Sequence, residues 1–88
     1  MLKKVDDLIF MKWSENDERY VLSSNDTTKI KATKTGHSES SVKMRLANAL
    51  YVITNGKIGL SNYSKQTKVL VLEIKMKNEL CNYLKSRI

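Results

Sequence analysis

Proline is missing altogether from these 88 residues, and only three glycines occur. With no proline-rich or glycine-rich stretch to serve as a linker, the chain reads as one domain over residues 1–88. A single cysteine, Cys81, excludes an internal disulfide and argues against a stapled secreted scaffold. His37 is the only histidine, so no imidazole has an oriented partner in the sequence, and Cys81 with His37 leaves zinc two ligands short. Gly36, Gly56 and Gly59 are too scattered to form a phosphate-cradling loop. The expectation is therefore no enzyme, no cofactor and no metal. No apolar run approaches the roughly 18 residues of a membrane span. Acids interrupt the opening Met1-Leu2-Lys3-Lys4-Val5-Asp6-Asp7 before a signal-like core develops. A cytoplasmic protein with no membrane contact is expected. Acidic residues are also few: nine against sixteen Lys plus Arg, a formal charge of +7. That balance favours an anionic partner through long-range attraction and phosphate contacts.

What is present is periodic. Val5, Leu8, Ile9 and Trp13 recur at helical spacing and predict a first helix, although Leu8-Ile9-Phe10-Met11 also suits a strand. Ser14 to Glu18 reads as a polar connection whose three carboxylates lack the remaining ligands of a cation loop. Tyr20-Val21-Leu22 is β-prone, and Ser23 to Asp26 reads as a turn or a cap. Residues 27–34 admit two readings. One is a helix capped by Asn25 or Asp26. The other is a strand, favoured by four threonines over residues 27–35 and by alternation of Lys29, Lys31 and Thr33 with Ile30, Ala32 and Lys34, which makes residues 19–34 a β-hairpin.

The central stretch is clearer. Thr35-Gly36 breaks what precedes it, Ser38 is placed to cap, and Val42, Leu46, Ala49 and Ile53 follow at spacings of 4, 3 and 4 on one helix face. Beyond it, Asn55-Gly56 is a hairpin turn or a helix end. Residues 57–60 and 68–74 read as strands joined by a polar loop over 61–67. Met76, Leu80, Tyr83 and Leu84, with Arg87 or Ile88, predict a C-terminal amphipathic helix from about residue 75. Cys81 falls within it as a small core or interface residue.

Gly36, the Ser38 cap, the hydroxyls of Ser40 and Ser41, and then Val42, Arg45 and Leu46 form a pattern that resembles the recognition helix of the helix-turn-helix superfamily, including its winged branch. The resemblance covers residues 35–50. Lys31 stands where that family usually carries an aliphatic residue before the small Ala32. A hairpin following such a helix looks like a wing. The resemblance implies an α+β fold, a small winged helix-turn-helix-like domain with a C-terminal helix; the alternative is an antiparallel sheet with a central helix. It implies non-enzymatic binding of double-stranded DNA in transcriptional regulation. Ser40, Lys43, Met44, Ala47 and Asn48 would face the groove, while Ser41, Arg45, Lys34, Lys65 and Lys68 would contact phosphates. A homodimer through the C-terminal helix would suit paired half-sites. Two alternatives remain open: a protein-interaction or assembly module of a phage or plasmid accessory protein, and RNA or single-strand binding through aromatics such as Phe10, Trp13, Tyr20, Tyr51, Tyr63 and Tyr83.

Overall fold

The computed structural model describes residues 13–61 and 63–87. Among these the protein is all helix: α1 (Glu15–Ser23), α2 (Thr28–Thr35), α3 (Glu39–Ile53), α4 (Lys65–Met76) and the short α5 (Asn82–Lys85). The first predicted helix, through Val5, Leu8 and Ile9, lies outside the described residues.

Hydroxyl caps start four of the five helices. Ser14, Thr27, Ser38 and Ser64 each accept the backbone N–H three residues on, at 3.1–3.2 Å. Each bond satisfies one of the amides that a helix start leaves unpaired. The chain thus contains four copies of one signal, of which only the Ser38 copy is evident beforehand. At Cys81, which begins α5 without a side-chain cap, Asn25 Oδ1 accepts the Asn82 N–H from across the fold at 2.7 Å.

The ends of α2, α3 and α4 use the left-handed conformation. Gly36 (φ 77°) closes α2 and its N–H reaches Ala32 O. Asn55 (φ 56°) and Gly56 (φ 86°) close α3, so the Asn55-Gly56 pair is a helix end and not a hairpin turn. Asn78 (φ 60°) follows α4 and turns the chain toward α5.

Trp13, Val21, Leu22, Ala32, Val42, Leu46, Ala49, Leu50, Ile53, Leu70, Val71, Ile74, Leu80, Cys81 and Leu84 form one core. Burying a Val, Leu or Ile side chain contributes about 1.5–3 kcal/mol, so this cluster is the main source of stability. Lys31 is also buried; its Nζ donates to Val21 O at 2.7 Å, where α1 has run out of amides. Burial lowers the Lys31 pKa below the ordinary lysine value.

Several expectations are corrected. Among the described residues no strand occurs, so they form neither the expected α+β fold with its wing nor an antiparallel sheet. The winged helix-turn-helix assignment falls with the hairpin it required. Tyr20, Val21 and Leu22 belong to α1, and residues 28–35 are helix, so the hairpin over 19–34 is absent too. Residues 68–74, read as an apolar central strand, lie within α4. Their period is helical once Thr67 is included, since Thr67, Leu70, Val71 and Ile74 all point into the core. Short apolar runs carry both periods, and the partner surface decides between them. The long C-terminal helix is likewise absent: α4 stops at Met76, and Leu80 and Leu84 are buried. The continuous stripe assigned to a homodimer therefore does not exist.

Candidate nucleic-acid interface

Trp13 is the hub that sets α1, α3 and α4 against one another. Its ring stacks on His37 just before α3, with centroids 3.7 Å apart and planes 9° from parallel. Its carbonyl accepts from Gln66 Nε2 of α4 at 2.8 Å. The Arg45 guanidinium of α3 lies over the Trp13 ring, 5.3 Å from its centroid.

Arg45 also donates through one Nη to Thr67 Oγ1 at 3.1 Å, and its Nε stands 3.9 Å from Glu18 Oε2. Glu18 has no exposure; it accepts from Gln66 Nε2 at 2.8 Å and from the Thr67 hydroxyl. A buried carboxylate demands such partners, because an unpaired charge away from water costs several kcal/mol. Arg45 is thus an internal cation and not a phosphate contact. Burial lowers its pKa from the ordinary arginine value, with Glu18 opposing the shift. His37 is pushed down as well, chiefly by burial.

Three more of the expected DNA contacts have structural employment. Ser41 is buried beneath Ser38, with the two hydroxyls 3.2 Å apart. Asn48 is buried and donates through Nδ2 to Leu60 O at 2.9 Å, so its amide is not free to read a base. Lys34 is exposed but forms an ion pair with Asp26 at 3.2 Å, where Asp26 also accepts from the Tyr20 hydroxyl. Those two donors hold the Asp26 carboxyl below its ordinary value, and Asp26 in turn raises Lys34.

Ser40, Lys43, Met44 and Ala47 remain together on the outer face of α3. They line a shallow groove whose other wall is the backbone of Gly59 and Leu60. That wall is set by a close approach: Gly59 sits at φ 99°, and a Cβ there would fall 2.2 Å from Ala47 O and 2.7 Å from Tyr51 N. Leu60 N–H then donates to Ala47 O at 3.1 Å, alongside the Asn48 bond. Lys43 has no ion pair among the described residues. Lys57, Ile58 and Leu60 are exposed along the same loop. None of these three was singled out from the sequence, where Gly59 between two aliphatic residues looked like strand.

Lys65 and Lys68 are exposed on α4 and not on a loop. Neither lysine lines the groove on α3.

The aromatics form no shared stacking platform among the described residues. Trp13 is buried, Tyr51 and Tyr63 pair at 6.0 Å with a 45° tilt, and Tyr83 stands alone under Arg87. Phe10 lies outside the described residues. Among the described residues no three His, Cys, Asp or Glu side chains come together as a metal site, and no helix is long and apolar enough to cross a membrane. Comparison with protein-family models, with curated proteins and with solved structures finds no match to this chain.

Proposed function

We propose that this protein binds double-stranded DNA without chemistry of its own, laying the outer face of α3 in the major groove in a regulatory role. The observation that carries the reading is the composition of that face: Ser40, Lys43 and Met44 exposed and Ala47 half-buried beside them on one side of a 15-residue helix, with Lys43 uncommitted to any described acid. An α-helix matches the major groove in width. A hydroxyl, a flexible ammonium and two small or soft apolar groups match what base edges offer there: acceptors on guanine, and the thymine methyl.

The formal charge of +7 supplies the long-range attraction. Lys57, on the loop that walls the groove, takes the place of a phosphate contact in this reading, and Lys43 stands between phosphate and base. Such a protein would work in the cytoplasm, on transcription or another event at DNA.

The test is a titration of isotope-labelled protein with mixed-sequence duplex DNA at low and moderate salt, followed through backbone amides. The expected result is salt-dependent shifts at Ser40, Lys43, Met44, Ala47 and residues 57–60. A folded protein whose α3 amides stay silent at low salt refutes the reading.

A further inference from the structure

Helix α4 turns only one side to the core. Thr67, Leu70, Val71 and Ile74 are buried, while Val69, Leu72 and Met76 on the opposite side are 61%, 40% and 87% exposed. Their spacings of three and four residues align them as one ridge along the helix. Lys65 heads the ridge, and Lys68 and Lys75 run along one flank; none of the three has an ion pair among the described residues.

The other flank is neutral. There Glu73 is held by Arg19 at 2.7 Å and Lys77 at 3.2 Å, and Arg19 also takes Glu15 at 2.8 Å. Two cations and two anions cancel. The apolar ridge therefore lies in the field of three uncompensated lysines.

That asymmetry discriminates among occupants. Across a twofold axis, two antiparallel α4 helices would set the Lys68 and Lys75 flank against its own mate, which like charges oppose. Parallel copies would set it against the neutral flank, leaving the lysines without acids. A nucleic acid would satisfy the ammonium groups but leave Val69, Leu72 and Met76 against phosphate. What satisfies both features is an apolar stripe bordered by carboxylates.

We propose that the α4 ridge docks an amphipathic helix of another protein, one with aliphatic side chains at i, i+3 or i+4 and i+7, and glutamate or aspartate on the border that meets Lys68 and Lys75. The ridge lies on a different helix from the groove of α3, so the proposal stands whether or not the protein binds DNA.

The experiment uses the full chain and two synthetic amphipathic peptides with the same leucine stripe, one bordered by glutamates and its twin by lysines. The acidic peptide is expected to shift amides of residues 65–76 and to bind at least about tenfold more tightly than the basic twin. The exposed substitution Met76→Asp should weaken binding, and the double change K68E/K75E should reverse the preference between the peptides. Equal binding of the twins, no binding, or shifts away from α4 overturns the proposal. So does self-association in sedimentation that Met76→Asp abolishes, which makes a second copy the occupant. Nuclear Overhauser contacts from residues 1–12 to Val69 and Met76 in the free chain also overturn it, since the chain would then cover its own ridge.

Discussion

Trp13 and His37 lie ring on ring, 3.7 Å between centroids, with the imidazole half-buried against the indole. Burial disfavours the imidazolium form and pushes the His37 pKa below its ordinary 6.5. In the unfolded chain that value is restored, so between the folded pKa and pH 6.5 the unfolded state binds the extra proton. Stability therefore falls as pH drops through about 6.5, and levels off once folded His37 is itself protonated. A second, more acidic stage comes mainly from Glu73, held at about 2 by hydrogen bonds from Arg19 and Lys77 against an ordinary 4.5, and Asp26, also held down by its partners, adds to it. The Glu73 contribution is present above pH 4.5 and lost toward pH 2. Urea midpoints measured across this range should show both stages, and His37→Gln should remove only the upper one. Persistence of the upper stage in that variant would assign it to another group.

Replacing Arg45 should act on stability, and on DNA only through it. Arg45→Ala leaves fully buried Glu18 without its cation, at a cost of roughly 3 kcal/mol in chemical denaturation. The paired change Glu18→Gln with Arg45→Met should recover much of that loss, because the stranded charge is gone. Equal destabilisation by the single and paired changes would show that packing against Trp13, and not charge, is what Arg45 supplies.

Lys43→Ala should do the reverse. Lys43 is exposed and unpaired among the described residues, so the urea midpoint should stay where it is. Duplex affinity should fall by about 1 kcal/mol or more, with a shallower dependence on salt. Unchanged affinity in this folded variant would remove α3 from the interface.

Gly59→Ala tests the wall of the groove. The new methyl collides with the Ala47 carbonyl and the φ of 99° is unfavourable for alanine, so the loop must withdraw. The expected loss is roughly 1–3 kcal/mol, together with a shift of the Asn48 side-chain amide as its bond to Leu60 O breaks. An unmoved Asn48 amide would mean that the loop tolerates the methyl where it stands.

Of the two parts of the winged helix-turn-helix pattern, the helix is present as α3 and the wing is absent among the described residues. Ser40, Lys43, Met44 and Ala47 reach the surface because they sit on the face of α3 opposite Val42, Leu46, Ala49 and Ile53, an arrangement the 3.6-residue period already contains. Asn48 and Ser41 have polar side chains at positions that look equally open on that period. What closes them is a loop ten or more residues away for Asn48, and the cap at Ser38 for Ser41.

The sequence by itself determined the break at Gly36, the Ser38 cap that follows it and the apolar stripe of α3. These depend on groups within a few residues of each other, so short-range chemistry suffices. Only the tertiary structure decided that residues 20–22 and 68–74 are helix, because valine, leucine and isoleucine in short runs fit either period until a partner surface selects the buried face. It alone also separated the cations. Arg45 and Lys31 are held inside by Glu18 and Val21 O, Lys34 is paired at the surface with Asp26, and Lys43, Lys65, Lys68 and Lys75 stay in water without an ion pair among the described residues. A positive side chain looks the same in a sequence wherever it goes, and its use is settled by what stands within a few ångströms after folding.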